Sequence, residues 1–207
     1  MVAIGGFNPT ILTPDFLRDY CSFHSDHSPA GRTTPVLAEI SFGNIQFLME
    51  LSKFQILLKP ATDFTTDFPI DIMLNYLNVL RYTPLVLLGV NLNYALSGLD
   101  EQRVKQSLKD PFQLGKAFDI TPTSVALTAN QPNGKDLELT EVSLAHQLDP
   151  MVKQNIKITF VEGSLIINEN YEVAQLEKNR ETIEIIRHKY PAFLLSHKAL
   201  TKRIEDM

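Results

Sequence analysis

Between Ile40 and Leu96 the spacing of apolar residues passes from the period of a strand to that of a helix and back. That succession restricts the chain to folds in which helices cover a sheet. Ile45, Phe47, Met49 and Leu51 alternate with Asn44, Gln46, Leu48 and Glu50, and Phe54, Ile56 and Leu58 resume the pattern after a tight connection at Ser52-Lys53. Two antiparallel strands are expected. Pro69 fits the first turn of a helix, where its missing N–H costs nothing. Ile70, Met73, Leu74, Leu77 and Leu80 then share one helical face, Tyr82-Thr83-Pro84 ends it, and Val86, Leu88, Val90, Leu92 and Tyr94 give the next strand its apolar side.

The flanks are less regular. Residues 1–38 carry turn signals at Phe7-Asn8-Pro9 and Thr13-Pro14, room for one helical turn over Asp15 to Tyr20, and a polar stretch from Cys21 to Pro35. They are expected to be irregular. Asp100 to Leu108 and Phe112 to Phe118 read as short helices on either side of Pro111. A meander follows: Ser124 to Ala129, Leu137 to Leu144, Ile156 to Val161 and Leu165 to Val173. The apolar phase slips between Leu139 and Val142, which predicts a bulge near Thr140. Asn133-Gly134 and Glu162-Gly163 are the turn candidates. The end is helical on both sides of Tyr190-Pro191. Hairpin, helix and Tyr-Pro recur in the last third, a faint echo of the first half.

The architecture predicted is α+β, a mainly antiparallel sheet of six or seven strands with helices packed on one face. One domain over 1–207 is expected, since no Gly/Ser-rich or Pro-rich linker divides it: 1–38 irregular, 40–98 hairpin, helix and strand, 123–207 meander and C-terminal helices. A chain of 207 residues, 44% of them hydrophobic, buries enough surface for a core without disulfides or metals. Cys21 is the only cysteine, which points to a reducing, cytoplasmic setting. The start, Met1 to Phe7, lacks the basic and continuously apolar segments of a signal peptide, and the longest apolar run, around Leu85 to Leu88, is too short to span a bilayer.

A net charge of −5 disfavours nucleic acid and anionic membranes as partners, because phosphate binding draws on neutralising Lys and Arg. One segment argues the other way. Gln113 to Leu127 resembles the helix-turn-helix of bacterial repressors, with Gly115 at the small position, Ile120 and Val125 in its core, and Thr123 and Ser124 at the start of a recognition helix. The resemblance implies contacts to DNA from Lys116, Thr123 and Ser124. It departs where Asp119 replaces the usual glycine and where no Arg or Gln follows to read bases. The competing reading makes Ser124 to Ala129 a strand.

Cys21, His24 and His27, with Asp26 among them, form the densest group of metal-ligand types. Sulfur and two imidazoles suit Zn²⁺, yet C-x₂-H-x₂-H matches no common zinc module and three ligands on one loop need a distant fourth. A solvated loop with a half-buried cysteine is the alternative. Asn91 and Asn93 share one face of a strand and can hold a polar ligand or a partner's backbone, or form the wet face of a half-exposed sheet. His146, His188 and His197 stand on separate elements beside no nucleophile motif. No phosphate loop, dinucleotide fingerprint or G-x-S-x-G occurs. No catalytic residue and no cofactor is implied.

Phe7-Asn8-Pro9-Thr10-Ile11, Lys53-Phe54-Gln55-Ile56 and Tyr82-Thr83-Pro84 through Leu88-Gly89-Val90-Asn91 together resemble uncharacterised bacterial proteins of about this length. The likeness covers the first half. It implies a bacterial or phage origin and the same hairpin, helix, strand order, and it transfers no active site. The function expected on these grounds is a non-enzymatic interaction module, a subunit or inhibitor whose partner is another protein chain, itself or a different one.

Overall fold

The computed structural model describes residues 1–59, 68–98, 100–108, 122–130, 138–161, 164–174 and 179–205. Their order is β1 (Val2–Gly5), a 3-10 turn (Pro9–Ile11), α1 (Pro14–Cys21), β2 (Ala30–Thr33), β3 (Leu37–Phe42), β4 (Ile45–Glu50), β5 (Lys53–Leu58), α2 (Phe68–Val79), β6 (Leu85–Ser97), α3 (Glu101–Leu108), β7 (Ser124–Asn130), β8 (Glu138–Asp149), β9 (Val152–Val161), β10 (Ser164–Val173) and α4 (Asn179–Glu205). The strands hydrogen-bond in the order β2-β3-β4-β5-β1-β6-β10-β9-β8-β7. Pairings β2–β3, β3–β4, β4–β5, β5–β1, β1–β6, β7–β8 and β8–β9 are antiparallel. The fold is α+β.

Among the described residues the sheet has ten strands rather than six or seven. The additional three, β1, β2 and β3, begin within residues 1–38, so that segment is not irregular. Each lacks a clean period-2 signal. β1 has four residues and ends at Gly5, β2 is exposed along its whole length, and β3 mixes Leu37 and Ser41 with its buried Ala38, Ile40 and Phe42. Helix α1 is also longer than the single turn expected. The Thr13 side chain caps it by accepting from the Phe16 N–H at 3.1 Å, and Pro14 opens it. Ser22 closes it in the left-handed region at φ 56°. Thr13→Ala should cost about 1 kcal/mol of stability, read as a lower urea midpoint with unchanged slope.

The chain divides into two compact units, Met1–Val90 with Val173–Leu194, and Asn91–Glu172 with Leu195–Met207. In the first, register explains the core. Ala38 pairs with Met49, Met49 with Phe54, Phe54 with Ala3 and Ala3 with Leu88, so one buried row crosses five strands. Ile40, Phe47 and Ile56 form the next row. The predicted β4–β5 hairpin is present. Two-residue Gly43-Asn44 joins β3 to β4 with Gly43 at φ +57°, the positive value such turns place on glycine. Helix α2 buries Ile70, Ile72, Met73, Leu74, Tyr76 and Leu77, more than the single face expected, because Tyr76 packs among Phe7, Phe16 and Phe54 with its hydroxyl 3.9 Å from Met49 Sδ.

The core of the second unit joins Leu96, Val104, Leu139, Val142, Leu144, Ile156, Ile158, Leu165 and Ile167 with Leu200 and Ile204 of α4. Thr128 pairs with Glu141 and Ala129 with Leu139, which leaves Thr140 unopposed: the bulge lies where the phase slip placed it. Asn133-Gly134, Glu162-Gly163 and the Phe112 to Phe118 helix fall outside the described residues. The expected interruption at Pro191 does not occur. One helix runs through it, with Ile186, Tyr190 and Phe193 buried before and around it and His197, Leu200 and Ile204 after. Proline removes one backbone bond there, and packing of these side chains holds the flanking turns.

Candidate functional site

Strand β10 presents different chemistry on its two faces. Leu165, Ile167, Glu169 and Tyr171 are buried, whereas Asn168, Asn170 and Glu172 take the opposite side, as strand alternation requires. On that opposite side lies an open cleft of about 510 Å³ spanning β7 to β10. Its shape follows from register. Ser124 pairs with Ala145 and Ala126 with Ser143, so four small residues make a shallow floor. In the next strand Lys157 stands beside Ser143 and Asn155 beside Ala145, with Lys153 further along. Asn168, Asn170 and Glu172 close the far side.

The cleft carries several polar side chains, and some of them are braced by one another. Glu141 accepts from Lys157 Nζ at 2.7 Å and from the Ser143 hydroxyl at 3.2 Å. Chiefly the Lys157 bond, helped by Ser143, holds its carboxyl below the usual range. The Asn170 amide donates to Glu172 at 2.8 Å, and its Oδ1 is buried with no hydrogen-bond partner among the described residues. These groups can bind polar chains by hydrogen bonds and charge pairs. Among the described residues that line it there is no cysteine or histidine.

Behind it, on the buried side, is a sealed network. Glu169 is 0% exposed, Tyr171 1%, Gln154 2% and His197 8%. The Glu169 carboxyl accepts from the Tyr171 hydroxyl and the Gln154 amide, and its second oxygen lies 2.8 Å from His197 Nδ1. Burial first, then the Glu169 charge, holds Tyr171 protonated well above the ordinary phenol range. The network anchors α4 to the strands. Sequence reasoning missed Glu169, Tyr171 and Gln154, though a signal existed: Glu169 occupies the apolar phase of an otherwise regular strand, and a carboxyl there must find donors.

The residues singled out from sequence fare differently. Asn91 is half-buried and Asn93 exposed, alternating with buried Val90 and Leu92, and Asn93 Oδ1 accepts from Asn168, which lines the cleft. Cys21, His24 and His27 are not gathered. Cys21 ends α1 with its side chain buried, whereas both histidines are exposed. Among the described residues no three His, Cys, Asp or Glu side chains could hold a metal ion. The helix-turn-helix reading is overturned, because Ser124–Asn130 is a strand paired with β8. Thr123 donates through its backbone and hydroxyl to the Ala145 carbonyl, and Ser124 opens β7. Lys116 lies outside the described residues. Of the three histidines, His146 is half-buried on β8, His188 is exposed and His197 belongs to the sealed network.

Burial pushes the Cys21 thiol up to about 12. In the unfolded chain it ionises near its ordinary value, so its contribution to stability is full below pH 9 and declines as pH rises toward 12. Tyr76 is raised in the same direction, by burial and then by Cys21. The urea midpoint should therefore fall between pH 8 and pH 10.5, and iodoacetamide should leave native Cys21 unmodified at pH 8. A flat midpoint, or rapid alkylation of the native protein, would be inconsistent with this placement.

Among the described residues no helix is long and apolar enough to cross a membrane. No protein-family model matches the chain, and no curated protein is similar to it. Among solved structures it is similar to the hypothetical protein jhp0584 of Helicobacter pylori, at 14% identity over 57% of this chain and 86% of that one, with a TM-score of 0.32. It is also similar to the di-domain ARO/CYC protein StfQ of the steffimycin biosynthetic pathway, at 8% identity over 100% and 97% of the two chains, again with a TM-score of 0.32. Scores at this level transfer neither fold nor function.

Proposed function

We propose that the chain is a non-enzymatic protein-interaction module that receives an extended segment of another protein along β7. The observation that carries the reading is the state of that strand. Among the described residues β7 ends the sheet order, its residues Ser124 and Ala126 to Ala129 are exposed, and it borders the cleft. A terminal strand offers a row of backbone donors and acceptors, and natural proteins blunt such edges when they are not used. Strand addition supplies affinity through main-chain bonds and specificity through alternate side chains. Here those side chains would lie over the Ser/Ala floor.

The test uses the full chain, tagged and recovered from its native host, beside Ala126→Arg, which fills the floor at an exposed position. One protein should accompany the wild type in near-equal amount and fall at least tenfold with the variant. A solitary monomer that turns over a substrate would remove the proposal.

A further inference from the structure

Building on that reading, we infer that the segment received along β7 is β7 of a second copy of this chain, the two strands running antiparallel about Leu127. The first support is a comparison within the molecule. The element order repeats: β1, α1, β2 to β5 and α2, then β6, α3, β7 to β10 and α4. The strand order repeats with it, β2-β3-β4-β5-β1 answering to β7-β8-β9-β10-β6. β2 and β7 therefore hold the same place in a repeated plan, and among the described residues each ends the strand order. Their edges are built differently. β2 has four residues, with exposed Arg32 within it and Pro29 directly before it. Its Gly31, at φ +142°, passes so close to β3 that a Cβ there would run into the Glu39 carbonyl oxygen. Short length, charge, proline and local distortion close an edge to pairing. β7 has seven residues, Ser124 to Asn130, with no charge, proline or glycine among them.

The second support is what β7 offers along its length. Val125, Leu127 and Ala129 stand beside Leu144, Val142 and Leu139 of β8, all three buried in the core. Val142 is 0% exposed, whereas Leu127 opposite it is 43% exposed, so the apolar side of the sheet stops unfinished at this strand. A segment that completes it is uncharged and apolar at alternate positions, and β7 is itself such a segment. Directly opposed residues of antiparallel strands share a face. Pairing centred on Leu127 sets Leu127 against its own counterpart and Val125 against Ala129 on the core side. Ala126 then meets Thr128 on the other face, and any other centre pairs fewer residues. Two uncharged strands meet without like-charge repulsion. Glu141 and Lys157 lie one and two strands behind the edge and pair with each other. Because β2 is closed, the contact joins the same surface on both copies and stops at two.

The test is sedimentation velocity of the purified full chain across micromolar concentrations, with circular dichroism as the control on folding. The wild type should be a dimer. Leu127→Lys and Leu127→Glu should each weaken it at least tenfold, since like charges then face each other, and mixing the two should restore a dimer. Ala126→Arg, on the other face, should weaken it likewise and keeps the test decisive if a Leu127 variant unfolds. The protein that accompanies the tagged chain from its host should be the untagged copy. A wild type that stays monomeric, accompanied by a different protein that Ala126→Arg releases, overturns the second copy and leaves strand addition standing. A monomer that nothing accompanies removes both. A dimer that no variant weakens puts the contact on another surface and refutes the inference. Charge variants that disperse the dimer but do not recombine refute the pairing about Leu127.

Discussion

Leu77→Asp should leave no folded protein in the soluble fraction. Leu77 is 0% exposed on α2, and its helix neighbours Met73 and Leu74 are equally withdrawn from solvent. Replacing it forfeits about 2–3 kcal/mol of apolar burial. It also places a carboxyl in a site without water, at a cost of several kcal/mol more. The last turn of α2 holds no basic residue that could pair with it. Together these losses approach the whole stability of an ordinary domain, roughly 5–15 kcal/mol. Leu77→Met, which conserves volume, should cost under about 1.5 kcal/mol and serves as the control. A soluble Leu77→Asp protein melting within a few degrees of wild type would show that α2 is not the cover of this core.

Glu169→Ala carries the second largest effect. It removes the shared acceptor of Tyr171, Gln154 and the His197 imidazole, all nearly sealed from solvent. Each buried group that loses this acceptor carries a desolvation penalty of about 1–3 kcal/mol. The urea midpoint should fall by roughly 1–3 M, given slopes of about 1–3 kcal/mol per molar. Glu169→Leu combined with Gln154→Leu and His197→Leu removes donors together with the acceptor and should recover much of the loss. If Glu169→Ala matches wild type in stability, the network does not anchor α4.

Local regularity decided which parts of this fold were legible. The β4–β5 hairpin, α2, β6 and the four-stranded meander each repeat one period over several residues, and Thr140 revealed its bulge because the apolar phase slipped there. Strands β1 and β2 are short and owe their existence to neighbours: β1 is held between β5 and β6, and β2 pairs along exposed residues with β3. No local pattern encodes such pairing. Pro191 misled for a related reason, since the helix through it rests on side chains packed before and after.

The candidate site was less visible still. Asn93 was legible as a polar residue on a half-exposed strand, but its partner Asn168 lies 75 residues away. The cleft exists because Ser124 and Ala126 meet Ala145 and Ser143 in register, a coincidence of four unremarkable residues from two strands. Gln113 to Leu127 carried an apparent motif, yet Ser124–Asn130 follows the pairing available from β8. Cys21, His24 and His27 are close in sequence, but Cys21 turns inward while the histidines do not.

Hydrogen exchange at the β7 amides, Ser124 to Asn130, compared in the free chain and with its co-purified protein bound, addresses the edge itself. Alternate amides along that strand should slow by at least tenfold on binding. Unchanged exchange there, with protection appearing elsewhere, would place the partner on another surface and contradict strand addition.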